Sequence, residues 1–295
     1  MARIGFIGLG IMGLPMAQNL IKGGHTVVGM DVNAKQMEKL AKAGGTVTPN
    51  IREAVAGADV VVTMLPDNQL AREIYLRANG VIACAKKGAL LIDCSTIDVE
   101  SARAIAAAAE AQGLAMVDAP TSGGVGAAQA GRLTFMVGGS FVAYERARLV
   151  LTKMGDTIVH AGLAGTGQAA KICNNMILGA SMIVVSEAFV LAEKLGLDAQ
   201  KMFDVASRSS GQCWSLTSYC PVPGPVPASP ANRDYQPGFT AATMLRDLKL
   251  AQDAARTVGA KTPLGAGAFE IYSQYVRSGE AERDFSGVIR LLRGD

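Results

Sequence analysis

The chain has 295 residues, 49% of them hydrophobic and 18% charged, with 28 Lys and Arg against 25 Asp and Glu and a net charge of +3. That length suits two domains, and the apolar content is ample for packed cores, which excludes disorder as the default reading. Near-neutral charge without a basic run argues against nucleic acid, a membrane surface or another polyanion as partner.

The N-terminal run from Arg3 to Gly10 is apolar but broken by glycines. It leads into an amphipathic segment and has no small-residue cleavage site, so it reads as strand and turn rather than signal peptide. Short β-rich runs follow at 3–7, 26–31, 60–65, 89–93, 115–118, 134–137 and 157–159, with helical patterns at 14–22, 34–43 and 99–112 among them. The first strands are near-continuous apolar runs, as expected where helices cover both faces of a parallel sheet. The alternation predicts a doubly wound, Rossmann-type α/β domain over 1–163.

From 164 to 295 the pattern is helical. Residues 167–195 lack strong breakers apart from Gly179 and read as one long helix, apolar on most faces, joining the two domains. Its most continuous apolar stretch, 176–185, is shorter than the roughly 20 residues of a membrane span, so it is read as buried in protein. Further helices are predicted at 199–207, 242–258, 265–277 and 285–292. Five prolines crowd Pro221-Val222-Pro223-Gly224-Pro225-Val226-Pro227-Ala228-Ser229-Pro230, which is neither helix nor central strand. A stiff surface loop is the first reading, and a lid flanked by Trp214, Tyr219 and Phe239 the second.

The cysteines, Cys84, Cys94, Cys173, Cys213 and Cys220, are odd in number and lack CxxC spacing. With only His25 and His160 beside them, neither a disulfide framework nor a metal site is expected, and a reducing, cytoplasmic compartment fits best. An organellar presequence already removed is compatible with the same sequence.

Gly8-Leu9-Gly10-Ile11-Met12-Gly13 is weak evidence alone in a glycine-rich chain, but it follows a predicted strand, opens a helix, and precedes an acidic strand end at Asp31. Gly8 permits the tight turn, Gly10 lets the backbone approach a pyrophosphate, and Gly13 lets the helix pack on the sheet. Ile11 and Met12 lie at the helix N-terminus, where backbone N–H groups face the phosphates. The Asp31 carboxylate suits ribose hydroxyls and repels a 2′-phosphate, so NAD is expected over NADP. The loops carrying Leu65 and Pro66, and Thr96, follow strands of the same sheet and are placed to touch the cofactor. Ser122-Gly123-Gly124 exposes successive N–H groups that suit a carboxylate. Lys171 and Asn175 share one face of the long helix.

Together these segments resemble the β-hydroxyacid dehydrogenase family. The resemblance is carried by Gly8-Leu9-Gly10-Ile11-Met12-Gly13, Asp118-Ala119-Pro120-Thr121-Ser122-Gly123-Gly124, Gly165-Thr166-Gly167-Gln168-Ala169-Ala170-Lys171-Ile172-Cys173-Asn174-Asn175 and Arg246-Asp247-Leu248. Ser209-Ser210-Gly211-Gln212-Cys213-Trp214 and the proline-rich insertion are similar to the branch acting on 3-hydroxyisobutyrate. The resemblance implies a Rossmann domain, a long linking helix, a helical C-terminal domain that binds substrate and dimerises, and homodimers or homotetramers. It also implies Lys171 as general base and acid, Ser122, Gly123, Gly124, Asn175 and Asp247 toward the substrate, and Arg246 toward the cofactor. Two positions depart from the family pattern: Thr121 where Val is usual, and Arg246 where Lys is usual.

The expected reaction is NAD-dependent oxidation of a small 3-hydroxy acid, 3-hydroxyisobutyrate to methylmalonate semialdehyde, as in valine catabolism. A free lysine is a poor base at neutral pH, and burial beside Ile172 and Met176 and a cationic cofactor ring would favour its neutral form. Alternative substrates are serine, 3-hydroxypropionate and tartronate semialdehyde or glycerate. A non-catalytic NAD-binding sensor is the alternative of another class.

Overall fold

The computed structural model describes residues 1–294. The chain divides into two compact units, Met1–Lys171 and Ile172–Asp295.

In the first unit the elements run β1 (Arg3–Ile7), α1 (Gly13–Lys22), β2 (Thr26–Met30), α2 (Ala34–Lys42), β3 (Thr46–Val47), α3 (Ile51–Val55), β4 (Val60–Thr63), α4 (Asn68–Leu76), α5 (Val81–Cys84) and β5 (Leu90–Asp93). They continue with α6 (Val99–Ala111), β6 (Ala115–Asp118), β7 (Thr121–Ser122), α7 (Gly124–Ala130), β8 (Leu133–Gly138), α8 (Phe141–Leu151) and β9 (Gly155–Gly162). The strand order is β3-β2-β1-β4-β5-β6-β8-β7, with β9 on the other edge of β8. From β3 to β6 every pairing is parallel. The direction then reverses, because β8 pairs antiparallel with β6 and β7.

Alternation along the strands sorts the core into two layers. Val60 and Val62 of β4 and Leu90 and Ile92 of β5 face one cluster with Ile4, Phe6 and Val117. Val61 and Leu91 face the other with Ile7 and Met116. A side-chain period of two therefore buries both faces of the central strands. Helix starts follow local chemistry: Asn33, Asp67, Asp98 and Ser140 accept N–H groups of the first turns of α2, α4, α6 and α8.

The long helix α9 (Thr166–Lys194) begins in the first unit and continues into the second. There it is followed by α10 (Ala199–Ala206), α11 (Trp214–Thr217), α12 (Ala241–Val258), α13 (Pro263–Tyr275) and α14 (Val288–Arg293). By length and composition α9 could cross a membrane, but 44% of its most apolar window is buried within the fold. Met182, Ile183, Val185 and Phe189 enter the cores of the second unit, which is the pattern of a core helix.

The proline-rich segment is a loop, as its composition suggests, with Pro223, Gly224, Pro227 and Ala228 exposed, but its two ends are buried. Val222, Ala231 and Tyr235 pack with Val185, Phe189 and Leu216. The Tyr235 hydroxyl donates to the Pro221 carbonyl at 2.9 Å, and the Ser229 hydroxyl to the Cys220 carbonyl at 2.6 Å. Side chains thus satisfy backbone carbonyls that proline-rich chain cannot pair in a ladder. Beside it Trp214 stacks on Tyr219, and Tyr219 on Phe285. The stack is pinned by Asp284, fully buried, whose Oδ2 accepts the Tyr219 hydroxyl and the Gly238 and Phe239 N–H groups, while Oδ1 accepts the Ser286 N–H and hydroxyl. Replacing Asp284 with Ala leaves several buried donors unmatched. We expect the thermal unfolding midpoint to fall by at least about 5 °C, read by circular dichroism. A change within about 1 °C would contradict this role.

Candidate active site

The glycine-rich turn between β1 and α1 is shaped by close backbone approach. Gly8 has φ +94°, and a Cβ there would lie 2.2 Å from the Met64 carbonyl oxygen. A Cβ on Gly13 would lie 1.9 Å from the Gly8 carbonyl oxygen. Gly10 is different: a Cβ there would meet nothing within 4 Å. The protein itself does not require glycine at that position, whereas a ligand lying against the backbone does. Asp31, just past β2, ties the turn down. Its Oδ2 accepts the Leu9 N–H at 2.6 Å and its Oδ1 the Asn33 N–H at 2.7 Å. A carboxylate has about four acceptor positions, so it can still receive ribose hydroxyls. Ile11 and Val32 stand beside this turn with 74% and 96% of their surface exposed. These residues fit a dinucleotide: open backbone at a helix start for the pyrophosphate, an acceptor for the ribose, and bare apolar surface for the rings.

Two further loops at the same end of the sheet are knitted together. Thr63 ends β4 and Asp93 ends β5, both buried. Asp93 Oδ1 accepts the Thr63 hydroxyl at 2.8 Å, the Ser95 hydroxyl at 2.6 Å and the Ser95 N–H at 3.1 Å. Ser95 Oγ in turn accepts the Leu65 N–H at 2.8 Å. Leu65 is buried, Pro66 exposed and Thr96 partly exposed.

Asp118, at the end of β6, anchors the start of α9. Its Oδ1 accepts the Gly165 N–H at 2.7 Å and its Oδ2 the Gln168 N–H at 2.9 Å. Lys171 follows on the same helix and is only 7% exposed. Ser122 closes the short strand β7, and Gly124 opens α7. Gly123 and Gly124 have φ of +129° and +68°. A Cβ on Gly123 would also press within 2.6 Å of Ala127 Cβ, so packing of α7 demands glycine there independently of any ligand.

One turn beyond Lys171, Asn175 is buried and donates from Nδ2 to Asp247 Oδ2 at 2.5 Å. Its Oδ1 accepts from Asn174 at 3.0 Å. Asp247, also buried, accepts Arg246 Nε at 3.1 Å and Nη2 at 2.8 Å on Oδ1. The structure therefore assembles Asn175, Asp247 and Arg246 into one hydrogen-bonded group, places Lys171 and Asn175 on adjacent turns of one helix, and joins Gly8–Gly13 with Asp31.

A profile of the NAD binding domain of 6-phosphogluconate dehydrogenase matches residues 3–162, and one described as the NAD-binding part of NADP-dependent 3-hydroxyisobutyrate dehydrogenase matches 165–292. The chain belongs to the β-hydroxyacid dehydrogenase family. A probable 3-hydroxyisobutyrate dehydrogenase of Mycobacterium tuberculosis is 50% identical over 293 residues, covering 99% of this chain and 98% of the relative. An NAD-dependent L-serine dehydrogenase of Pseudomonas aeruginosa is 47% identical over 292 residues, again covering 99% and 98%. Among solved structures, the Mycobacterium tuberculosis 3-hydroxyisobutyrate dehydrogenase with L-serine superposes with a TM-score of 0.95 at 50% identity, covering 99% of both chains. As a β-hydroxyacid dehydrogenase, the chain is an NAD-binding oxidoreductase with a Rossmann domain followed by a helical one.

Sequence reasoning placed the loop Asp93-Cys94-Ser95-Thr96 against the cofactor, but missed the bonds made by Asp93, Ser95 and Gln168, and it missed Val32. A faint signal existed for three of them. Asp93 ends an apolar strand as Asp118 does, Gln168 is a lone amide among small residues, and Val32 is apolar directly after a strand-end acid. Ser95 had none, since its partner Leu65 lies 30 residues away.

Burial pushes the Asp93 carboxyl up to about 6 from its ordinary 3.8, against the hydrogen bonds of Ser95 and Thr63, which pull it down. Asp118 is also raised by burial, with the amides of Gly165 and Gln168 opposing. A carboxyl raised in the fold holds its proton more tightly there than in the unfolded chain. Its stabilising contribution is full below about 3.8 and is lost as pH rises through about 6. The gap corresponds to on the order of 3 kcal/mol. Asp93→Asn removes that titration. The stability of the variant relative to the parent is expected to improve as pH rises from 4 to 7, read from thermal unfolding at fixed ionic strength. Parallel curves would contradict the assignment.

Proposed function

We propose that this enzyme oxidises the hydroxyl of a small 3-hydroxy carboxylic acid with NAD, foremost 3-hydroxyisobutyrate to methylmalonate semialdehyde, a step of valine breakdown. The observation that carries the reading is the buried Lys171, set on the helix that Asp118 anchors and one turn from the oriented amide of Asn175. The names of the similar proteins support the substrate class.

NAD, when bound, supplies the hydride acceptor. The chain's own residues do the rest. The N–H groups and hydroxyl of Ser122-Gly123-Gly124 hold the substrate carboxylate. Lys171 Nζ takes the hydroxyl proton as the aldehyde forms and returns it in the reverse direction. Asn175 and Asp247 orient the substrate oxygen. Gly8, Gly10, Ile11, Met12, Gly13, Asp31, Leu65, Pro66 and Thr96 receive the cofactor, with Arg246 a further contact. In this reading residues 1–163 serve the cofactor, and 164–295 serve substrate and subunit association. The exposed Ile177, Val184 and Leu191 recur every seven residues along α9, 58–65% bare in the single chain, and suit burial in a homodimer or homotetramer. The five cysteines are free thiols, in keeping with a reducing, cytoplasmic setting.

A second reading, oxidation of L-serine, is favoured by the 47% identical serine dehydrogenase and by the solved structure with L-serine. A panel of 3-hydroxyisobutyrate, 3-hydroxypropionate, serine and glycerate, each with NAD and NADP, separates the two by NADH or NADPH absorbance. The highest kcat/KM is expected for 3-hydroxyisobutyrate with NAD. NAD binding without turnover of any member would overturn the enzymatic reading.

Lys171→Ala is expected to lower kcat by about 10³-fold or more while the Kd for NAD stays within about threefold, measured by fluorescence quenching. Substantial residual turnover would remove Lys171 from its role. Asp31→Ala is expected to weaken NAD at least about tenfold and to narrow the preference for NAD over NADP. An unchanged cofactor ratio would show that the choice is made elsewhere.

A further inference from the structure

Gln168 precedes Lys171 by one turn of α9 and is fully buried. The chemistry above gives it no task, yet both ends of its carboxamide are engaged by one loop. Nε2 donates to the Ser95 carbonyl at 2.7 Å, and Oε1 accepts the Ile97 N–H at 3.1 Å. The side chain thus pairs with residues 95 and 97 as a neighbouring strand would, and Thr96 sits between the two bonded positions. Ser95 passes the constraint on, because its Oγ accepts the Leu65 N–H at 2.8 Å and donates to Asp93 Oδ1 at 2.6 Å.

The backbone of Gln168 is equally fixed. Its N–H donates to Asp118 Oδ2 at 2.9 Å. A Cβ on the preceding Gly167 would fall 2.3 Å from the Met136 carbonyl oxygen, so the helix lies directly on the strand ends at this point. One residue is therefore held to β6 by its backbone and holds the loop after β5 by its side chain, with the loop after β4 linked through Ser95. Lys171 lies about 4.5 Å further along the helix axis. These loops stand at the carboxyl ends of parallel strands, where ligands of such sheets bind.

We propose that Gln168 is a positioning residue: its carboxamide fixes the Ser95–Ile97 loop, and through Ser95 the Leu65 loop, at a set separation from Lys171, so that proton acceptor and cofactor ring meet in reacting geometry. This rests on Lys171 being the base. Reactions of this kind respond steeply to small displacements, a 1 Å misplacement costing on the order of 100-fold. A glutamine that merely filled space would be replaceable by methionine of similar length and volume.

The test compares Gln168→Met, Ser95→Ala and Lys171→Ala with the parent. In cofactor-free protein, amide hydrogen exchange at Ile97 is expected to rise at least about tenfold in Gln168→Met, with the β1–β2 region unchanged. In turnover, kcat is expected to fall about 30-fold or more while KM for the hydroxy acid and Kd for NAD stay within about threefold. The primary deuterium isotope effect on kcat should increase as hydride transfer becomes limiting. Ser95→Ala keeps the carbonyl that Gln168 binds but cuts the link to Leu65, and should lose about five- to tenfold in kcat alone. Unchanged exchange at Ile97, or a kcat for Gln168→Met within threefold of the parent, would overturn the proposal. So would a loss of kcat matched by an equal loss of NAD affinity. An active Lys171→Ala would overturn the base assignment instead, while the exchange result would still judge the loop clamp.

Discussion

Asp118 is buried at the end of β6 and accepts the N–H groups of Gly165 and Gln168, and the placement of the first turns of α9, with Gln168 and Lys171, follows from that anchorage. A carboxylate removed from water is costly unless it is hydrogen-bonded, while the first turn of a helix leaves N–H groups unpaired. Each deficit answers the other, and the helix dipole adds to the match. The fit also demands room. A Cβ on Gly138 would lie 2.5 Å from Asp118 Oδ1, and one on Gly167 would lie 2.8 Å from Oδ2. Side chains at either position would displace the helix start, and with it Lys171.

Asp93 and Asp118 are register partners on adjacent parallel strands. Two buried carboxyls so close in the sheet would be poor design for stability alone, and burial pushes both upward from their ordinary value. Their hydrogen bonds show what is obtained in return. Asp93 gathers Thr63 and Ser95 and so sets two loops, whereas Asp118 sets a helix. Gln168 joins the two systems, because its backbone belongs to the Asp118 cap and its side chain to the Asp93 loop. The far ends of three strands are thereby tied to one helical turn.

The first strands, the glycine-rich turn and α9 were legible in the sequence because each expresses itself locally, as an apolar run, a glycine spacing at a strand–helix junction, or a long breaker-poor stretch. The reversal at β8 was not. An antiparallel edge on a parallel sheet alters pairing without altering the apolar pattern of the strand. The proline-rich segment was legible in part: Pro223, Gly224, Pro227 and Ala228 are exposed as its composition suggests, whereas burial of its ends needs side-chain partners for backbone carbonyls, which Tyr235 and Ser229 provide. Lys171, Asn175, Ser122 and Asp31 could be named from resemblance and spacing. The bonds around them could not, since Asn175 meets Asp247 across 72 residues and Gln168, one turn before Lys171, meets Ser95 across 73.

Arg246 shows how a departure from the family pattern acquires a physical meaning. Its Nε and Nη2 both reach Asp247 Oδ1, leaving Oδ2 for the Asn175 amide. A lysine would supply the charge from a single flexible point, whereas two N–H groups of the guanidinium fork converge on Oδ1 of Asp247 and hold that oxygen in place. The Arg246 side chain is 40% exposed, so solvent weakens the Coulomb attraction, and the geometry of the fork is what matters to the buried partner. Asp247 then holds Asn175 in one orientation, a turn beyond Lys171.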